Sequence, residues 1–252
     1  IVRRPGHDPV LRHARTQGRL HRRFHRIPAT KPQGLTAMKT VIVTGFGPYL
    51  EEAQNPSGAI AQAIHGTEKD GVRIHGLVLP VSAGAVRALL EEEVRRLRPD
   101  VLIVTGVTRG RVAVAAERVA VNVMDFPIPD VDGRAFIDEA VIDDGPTAYF
   151  STLPIKAILQ AWRDRDIPAY VSNTAGTYLC NQTFYLACHL ASSLPMRAGL
   201  VHIPLSSAHA AASPTPIPSL ALETMYEAVL TAALISANHE GADLKLQAGM
   251  TC

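Results

Sequence analysis

Short apolar runs alternate with longer amphipathic segments along most of this chain. The runs are rich in Val, Ile and Leu with few polar residues between them, which is typical of strands buried on both faces of a parallel sheet. They predict strands at 40–44, 72–79, 101–105, 119–123, 169–172 and 200–203. The amphipathic segments place apolar residues at helical spacing, and they predict helices at 57–65, 83–98, 154–165, 181–193 and 219–238.

This alternation of strands and helices predicts a single α/β domain of three layers, with a mostly parallel twisted sheet between two layers of helices. Residues at the segment ends support the assignment. Ser57 is a candidate N-cap and Gly66 a candidate C-cap of the first helix, and Pro99 closes the second.

The composition is that of an ordinary globular protein, since 47% of the 252 residues are hydrophobic and 19% are charged. No apolar run is long enough to span a bilayer, and the N-terminus lacks the apolar centre of a secretory signal. The three cysteines, Cys180, Cys188 and Cys252, are an odd number and indicate no disulfide framework. No Cys and His spacing suggests a zinc site. We therefore expect a cytoplasmic protein without a metal, in which Cys188 belongs to the core.

Charge divides the chain near residue 37. Residues 1–37 hold nine Lys and Arg against one acidic residue, whereas the rest holds 16 against 22. A basic segment with so little apolar periodicity cannot bury enough surface to fold alone. It could be a nucleic-acid-binding arm, a transit peptide or an upstream extension of a protein that begins at Met38. We favour the last, because the first predicted strand follows Met38 at once. The predicted division is a disordered or non-native extension at 1–37 and an α/β domain at 38–252.

The segment SNTAGTYLCN at 172–181 carries the clearest chemical signal. It joins a predicted strand to a predicted helix, so Cys180 lies near a helix N-terminus. The unpaired N–H groups there favour thiolate, which is the nucleophilic form of cysteine. A free cysteine is also often an inert core residue, so this segment alone leaves both interpretations open.

Two further residues are candidate partners of Cys180. His202 ends the predicted strand before a loop rich in Pro and Ser, and ligands of open α/β sheets gather at such strand ends. Glu117 stands at the entrance to another apolar run. A thiolate needs a base, and the base needs an orienting group, which His202 and Glu117 would supply. Singly, each also fits a structural role, His202 in the core and Glu117 paired with Arg118 at the surface.

A series of motifs follows in one order along residues 41–204: TGFGPY at 44–49, NPS at 55–57, ERVAVN at 117–122, IPD at 128–130, GPTAYFSTLPIK at 145–156, SNTAGTYLCN at 172–181 and VHIP at 201–204. Together they resemble the pyroglutamyl peptidase I (pyrrolidone carboxyl peptidase) family of cysteine peptidases. The resemblance implies removal of N-terminal pyroglutamyl residues from peptides, without a cofactor. It implies Cys180 as nucleophile, His202 as base and Glu117 as orienting group. It further implies that the substrate is bound by Phe46, Tyr49, Val107 and Ile128.

The chain departs from the family pattern around the expected substrate pocket. The family loop Gly-x-Ala-x-Gly-Arg, which usually contains Gln, reads GVTRGR at 106–111 and has Val107. The family segment Asp-Ala-Arg-Ile-Pro-Asp reads DFPIPD at 125–130, so Pro127 replaces an arginine that lies close to the reacting carbonyl in the family. Pro-Phe-Gly-Gly reads PYLE at 48–51. Proline offers no donor to an oxyanion, and Arg109 or Arg111 could supply one instead.

Three other functions compete with the peptidase. Val107 and Pro127 favour a related cysteine amidohydrolase with a changed small N-acyl substrate. A non-catalytic homologue and a nucleic-acid binder that uses residues 1–37 are the others.

We expect peptides with N-terminal pyroglutamate as partners, and neither nucleic acid nor a membrane. Homo-oligomers are common in the family, so self-association is an open expectation. The segment 206–218 is predicted to be a loop, either a mobile flap or a passive connection.

Overall fold

The computed structural model describes residues 38–49 and 54–249, and the predictions for residues 1–37 and for Cys252 lie outside this range. The elements in chain order are β1 (Lys39–Phe46), α1 (Pro56–Ile64), β2 (Glu68–Lys69), β3 (Val72–Leu79), α2 (Ala83–Leu97), β4 (Val101–Val107), β5 (Val114–Glu117), β6 (Val119–Val121), β7 (Ala148–Phe150), α3 (Ile155–Arg163), β8 (Ala169–Ser172), α4 (Leu179–Ala191), β9 (Arg197–Ile203), α5 (Ser207–Ala212) and α6 (Leu222–Asn238).

Seven of these strands form one sheet in the order β2-β3-β1-β4-β9-β5-β8. The four central neighbours β3, β1, β4 and β9 are parallel. The short strand β2 is antiparallel to β3 at one edge. At the other side β5 runs antiparallel to β9, and β8 runs parallel to β5. The predicted mostly parallel sheet is confirmed, with β5 and β8 reversed relative to the central strands.

Helices cover both faces of this sheet, which gives the three predicted layers. Side chains of α1, α3 and α6 pack on one face, where Trp162 is fully buried. Side chains of α2 and α4 pack on the other face, around Phe184. Neighbouring residues of β1 point to opposite faces, with Val41 and Val43 in the first cluster and Ile42 in the second. Because both faces are covered, these strands are apolar at nearly every position.

Two regions of the sheet differ from the prediction. The strand β5 is missing from the predicted set although it lies between β9 and β8, and its sequence VAAE explains the omission because Ala and Glu have low strand propensity. The strand predicted at 119–123 is the shorter β6, which pairs with β7 in a separate two-stranded sheet. The predicted loop at 206–218 contains the short helix α5.

The end of β1 is tied to the start of α1 by a capping network. The N-cap is Asn55, whose side chain accepts from the backbone N–H of Ser57 at 3.0 Å, so the expected cap at Ser57 is wrong. The hydroxyl of Ser57 instead accepts from the N–H of Phe46 at 3.0 Å. This network holds Phe46 at the carboxyl end of β1.

Among the described helices, none combines the length and apolar character needed to cross a membrane.

Candidate active site

Cys180 is the second residue of α4, and its thiol lies against the backbone of β4. A Cβ atom built on Gly106 would be 2.5 Å from Cys180 Sγ and 3.5 Å from His202 Cδ2. Gly106 and His202 are paired residues of the adjacent parallel strands β4 and β9. The thiol and the imidazole therefore lie side by side over a glycine, and only a residue without a side chain leaves room for both.

His202 is held by a buried carboxylate. The side chain is 2% exposed, and Nδ1 lies 2.8 Å from Glu117 Oε1. Glu117 is the last residue of β5 and is fully buried. Because a carboxylate only accepts hydrogen bonds, Nδ1 carries the proton and donates it, which leaves Nε2 as the basic nitrogen of a neutral imidazole. The alternative of Glu117 as the surface partner of Arg118 is wrong.

Arg111 is a second partner of the same carboxylate. Its Nη1 donates to Glu117 Oε1 at 2.7 Å, and its Nη2 donates to the carbonyl of Thr174 at 3.3 Å. The guanidinium also lies over the ring of Tyr170, with Cζ 5.6 Å from the ring centroid. These contacts hold Arg111 against Glu117 and Thr174, and the suggestion that Arg109 or Arg111 supplies an oxyanion donor stays a prediction.

The electrostatics favour a neutral thiol beside a neutral imidazole. Burial raises the pKa of Cys180 to about 12, and the charge of Glu117 adds to this effect. Burial also lowers the pKa of His202, against the opposing influence of Glu117. Burial alone would raise the pKa of Glu117, but hydrogen bonding and charge from His202, with help from Arg111, hold it below its usual value. Burial therefore opposes the thiolate that the helix N-terminus favours, and the ionisation of Cys180 stays a prediction.

Cys180 and His202 open into a cavity of about 520 Å³. All four residues predicted to bind substrate line this cavity, namely Phe46, Tyr49, Val107 and Ile128. The wall also includes Pro127 and Arg109. Glu117 is absent from the wall because it lies behind His202. The cavity is thus largely apolar, with the thiol and the imidazole as its reactive groups.

A pair of tyrosines fixes the wall that contains Pro127. The hydroxyl groups of Tyr49 and Tyr178 both donate to the carbonyl of Pro129, in the second case at 3.2 Å. The ring of Tyr178 packs edge-on against Phe126, with centroids 4.5 Å apart. These contacts anchor the segment 126–129 against the loop that precedes Cys180. Sequence analysis missed Tyr178, although it lies two residues before the candidate nucleophile.

The close approach at Gly106 gives a prediction of its own. Gly106→Ala would place a methyl group 2.5 Å from Cys180 Sγ, so the thiol must move away from His202. Displacing a reacting atom by about 1 Å can cost on the order of 100-fold, and we expect a loss of kcat/KM of that size. The control is Gly84→Ala in α2, where the nearest atom to the added Cβ is 3.6 Å away and activity should be unchanged. Full activity of Gly106→Ala, measured with a thermal unfolding curve for each variant, would contradict this geometry.

A thiol beside an imidazole that a buried carboxylate orients is the arrangement used by cysteine hydrolases. The family model of pyroglutamyl peptidase matches residues 39–240. The pyrrolidone-carboxylate peptidase of Klebsiella pneumoniae is 42% identical over 85% of this chain and 100% of its own length. That of Pyrococcus furiosus is 43% identical over 65% of this chain and 80% of its own. The solved pyrrolidone carboxyl peptidase from Thermococcus litoralis has a TM-score of 0.80, with 33% identity over 83% of this chain and 100% of its own.

This chain belongs to the pyroglutamyl peptidase family. The resemblance inferred from the motifs is therefore confirmed, and so is the class of cysteine exopeptidase. The roles of Cys180 as nucleophile, His202 as base and Glu117 as orienting group remain predictions, and the distances given above make them testable.

Proposed function

We propose that this protein removes N-terminal pyroglutamyl residues from peptides, with Cys180 as the nucleophile. The observation that carries the proposal is the position of Cys180 and His202 together at the end of one largely apolar cavity. Membership in the pyroglutamyl peptidase family supports the same reaction. The reaction is an acyl transfer in two stages, through a thioester on Cys180.

In the first stage Cys180 Sγ attacks the carbonyl carbon of the pyroglutamyl residue while its proton passes to His202 Nε2. Because the pKa of the thiol is raised and that of the imidazole is lowered, both groups are proposed to be neutral in the unliganded site, and the proton moves as Sγ attacks rather than before it. Glu117 supports the imidazolium that results and keeps Nδ1 protonated. His202 then gives the proton to the leaving amine as the C–N bond breaks.

In the second stage water attacks the thioester while His202 accepts a proton from the water. The C–S bond then breaks, and His202 returns this proton to the sulfur, so that pyroglutamate and the free thiol are released. The negative oxygen of each tetrahedral intermediate needs a donor. The backbone N–H of Cys180 is the proposed donor because the first N–H groups of a helix have no partner within the helix. Pro127 contributes no such donor from the opposite wall.

The cavity offers a physical basis for choosing a pyroglutamyl residue. Phe46, Tyr49, Val107 and Ile128 are proposed to enclose its ring. The pyroglutamyl nitrogen belongs to a neutral lactam, whereas an ordinary N-terminal residue carries an ammonium group. Transfer of an unpaired ammonium into an apolar cavity is strongly unfavourable, so a free N-terminus should be rejected.

The test compares aminocoumarin substrates that differ in this charge. We expect the full chain to hydrolyse pyroglutamyl aminocoumarin and to leave prolyl and glutaminyl aminocoumarin intact. Prolyl aminocoumarin is the matched control because its ring is the same size but its nitrogen is charged. Hydrolysis of N-acetylalanyl aminocoumarin instead would favour the amidohydrolase that Val107 and Pro127 suggest. Hydrolysis of none by a folded protein would favour the non-catalytic homologue.

The proposed partners are peptides with N-terminal pyroglutamate. The absence of nucleic-acid and membrane partners, a cytoplasmic location and self-association into homo-oligomers stay predictions from the sequence.

A further inference from the structure

A second cavity, of about 340 Å³, shares no lining residue with the candidate active site. It lies between the start of α3, the start of β9 and the segment that follows α6. Three basic side chains line it, Arg118, Lys156 and Arg197, and His239 is a fourth nitrogen-bearing side chain in its wall. Its size is near the lower end of the range of roughly 300–1,000 Å³ that is usual for small-molecule sites.

The three basic side chains are held in place by neutral acceptors. The contacts are Arg118 Nε to Asn173 Oδ1 at 2.8 Å, Lys156 Nζ to the carbonyl of Leu246 at 2.8 Å, and Arg197 Nη1 to the carbonyl of Ser236 at 2.6 Å. Within residues 38–49 and 54–249, none of the three forms an ion pair with a carboxylate. The cavity wall therefore carries three positive charges that are oriented but not neutralised by direct contact.

Asp243 is the one acidic residue among the described residues that line this cavity, and its carboxylate is already engaged. Its oxygens accept from the backbone N–H groups of Lys156 at 2.9 Å and Ala157 at 3.0 Å, so they cap the N-terminus of α3. Burial and the nearby charge of Arg118 both lower the pKa of Lys156, although Asp243 opposes them. The one carboxylate of the wall therefore offsets only part of the positive charge of Arg118, Lys156 and Arg197.

We propose that this cavity binds the phosphate group of a small molecule. Guanidinium groups donate to phosphate oxygens in a bidentate manner, and the ammonium of Lys156 adds a point charge. A group that carries two negative charges would offset the excess positive charge better than a single carboxylate. The exposed ring of Phe150 also lines this cavity, where it can contact an apolar substituent of a phosphate monoester. Free phosphate and a phosphate monoester share the chemistry that the cavity recognises.

The test measures binding of inorganic phosphate and of phenyl phosphate to the full chain by calorimetry, with ionic strength held constant by sodium chloride. We expect saturable binding that Arg118→Gln and Arg197→Gln each weaken by roughly tenfold, as for loss of one hydrogen bond to a charged group. Arg118→Lys should retain most of the affinity because it keeps the charge. The matched control is Arg95→Gln on α2, which packs against the other face of the sheet and makes the same change in charge.

The two ligands separate the sources of phosphate. Equal affinity for both identifies a site for free phosphate, and tighter binding of phenyl phosphate that Phe150→Ala removes identifies a monoester site. Each variant is unfolded thermally without phosphate, so that loss of binding can be told from loss of folding. An absence of saturable binding for both ligands would overturn the proposal, as would an equal loss of affinity in Arg95→Gln. Hydrolysis of the aminocoumarins is a separate measurement, and neither result depends on the other.

Discussion

Cys180→Ser is expected to lower kcat/KM for pyroglutamyl aminocoumarin by on the order of 10⁴-fold or more, as found when the nucleophile of a hydrolase is removed. Serine differs from cysteine by one atom, so the cavity and the packing against Gly106 are retained. An alkoxide is far harder to form than a thiolate, so a serine in the same position is a much weaker nucleophile. The measurement is the initial rate of aminocoumarin release by equal amounts of the two proteins.

Cys188→Ser is the matched control for this substitution. Cys188 lies on the same helix, is 3% exposed, and directs its sulfur towards the carbonyls of Phe150 and Ala198 at 4.0 and 3.9 Å. It belongs to the core, as predicted, so its substitution should leave kcat/KM within a few-fold. Activity of Cys180→Ser close to that of the unaltered protein would rule out Cys180 as the nucleophile. Inactivation by iodoacetamide should likewise require Cys180, and chelators should have no effect.

The position of Cys180 and His202 followed from local patterns, whereas that of Glu117 did not. Cys180 stands at the start of a segment with helical spacing, and His202 stands near the end of an apolar run, so both could be placed at element ends. Glu117 was expected to begin a strand, but it ends β5, which runs antiparallel to β9. The direction of a strand depends on its neighbours, and a four-residue strand with two alanines gives no pattern from which to infer it.

The features that the sequence did not predict arise from tertiary contacts rather than from local periodicity. Gly106 is required because the thiol approaches from α4, which lies more than 70 residues further along the chain. Arg111 contacts Glu117 through a loop whose path is not encoded in any periodicity. The ionisation of Cys180 is a similar case, because its helix position favours thiolate while burial, which depends on the whole fold, raises the pKa of the thiol.

Glu117→Gln is expected to lower kcat by roughly 10³- to 10⁴-fold, the size of the loss when the group that orients a catalytic histidine becomes an amide. Glu117 Oε1 accepts from both His202 and Arg111, so a glutamine keeps both contacts only when its oxygen takes the place of Oε1. If the amide nitrogen turns towards Nδ1, the imidazole must take the other tautomer, and Nε2 can no longer accept the proton of the thiol. The charge that supports the imidazolium is lost in either orientation.

Two further measurements on Glu117→Gln distinguish an orienting role from a purely structural one. Glu117 raises the pKa of His202, and activity requires a neutral imidazole, so without Glu117 the acid limb of kcat/KM should move to lower pH. Glu117 also raises the pKa of Cys180, so alkylation by iodoacetamide at fixed pH should become faster while turnover becomes slower. The control is Glu227→Gln at an exposed position of α6, which should change none of these quantities. Both quantities are measured well below the melting temperature of each variant, because unfolding would itself expose the thiol and speed its alkylation. An unshifted acid limb, together with a lower melting temperature, would reduce Glu117 to a structural residue.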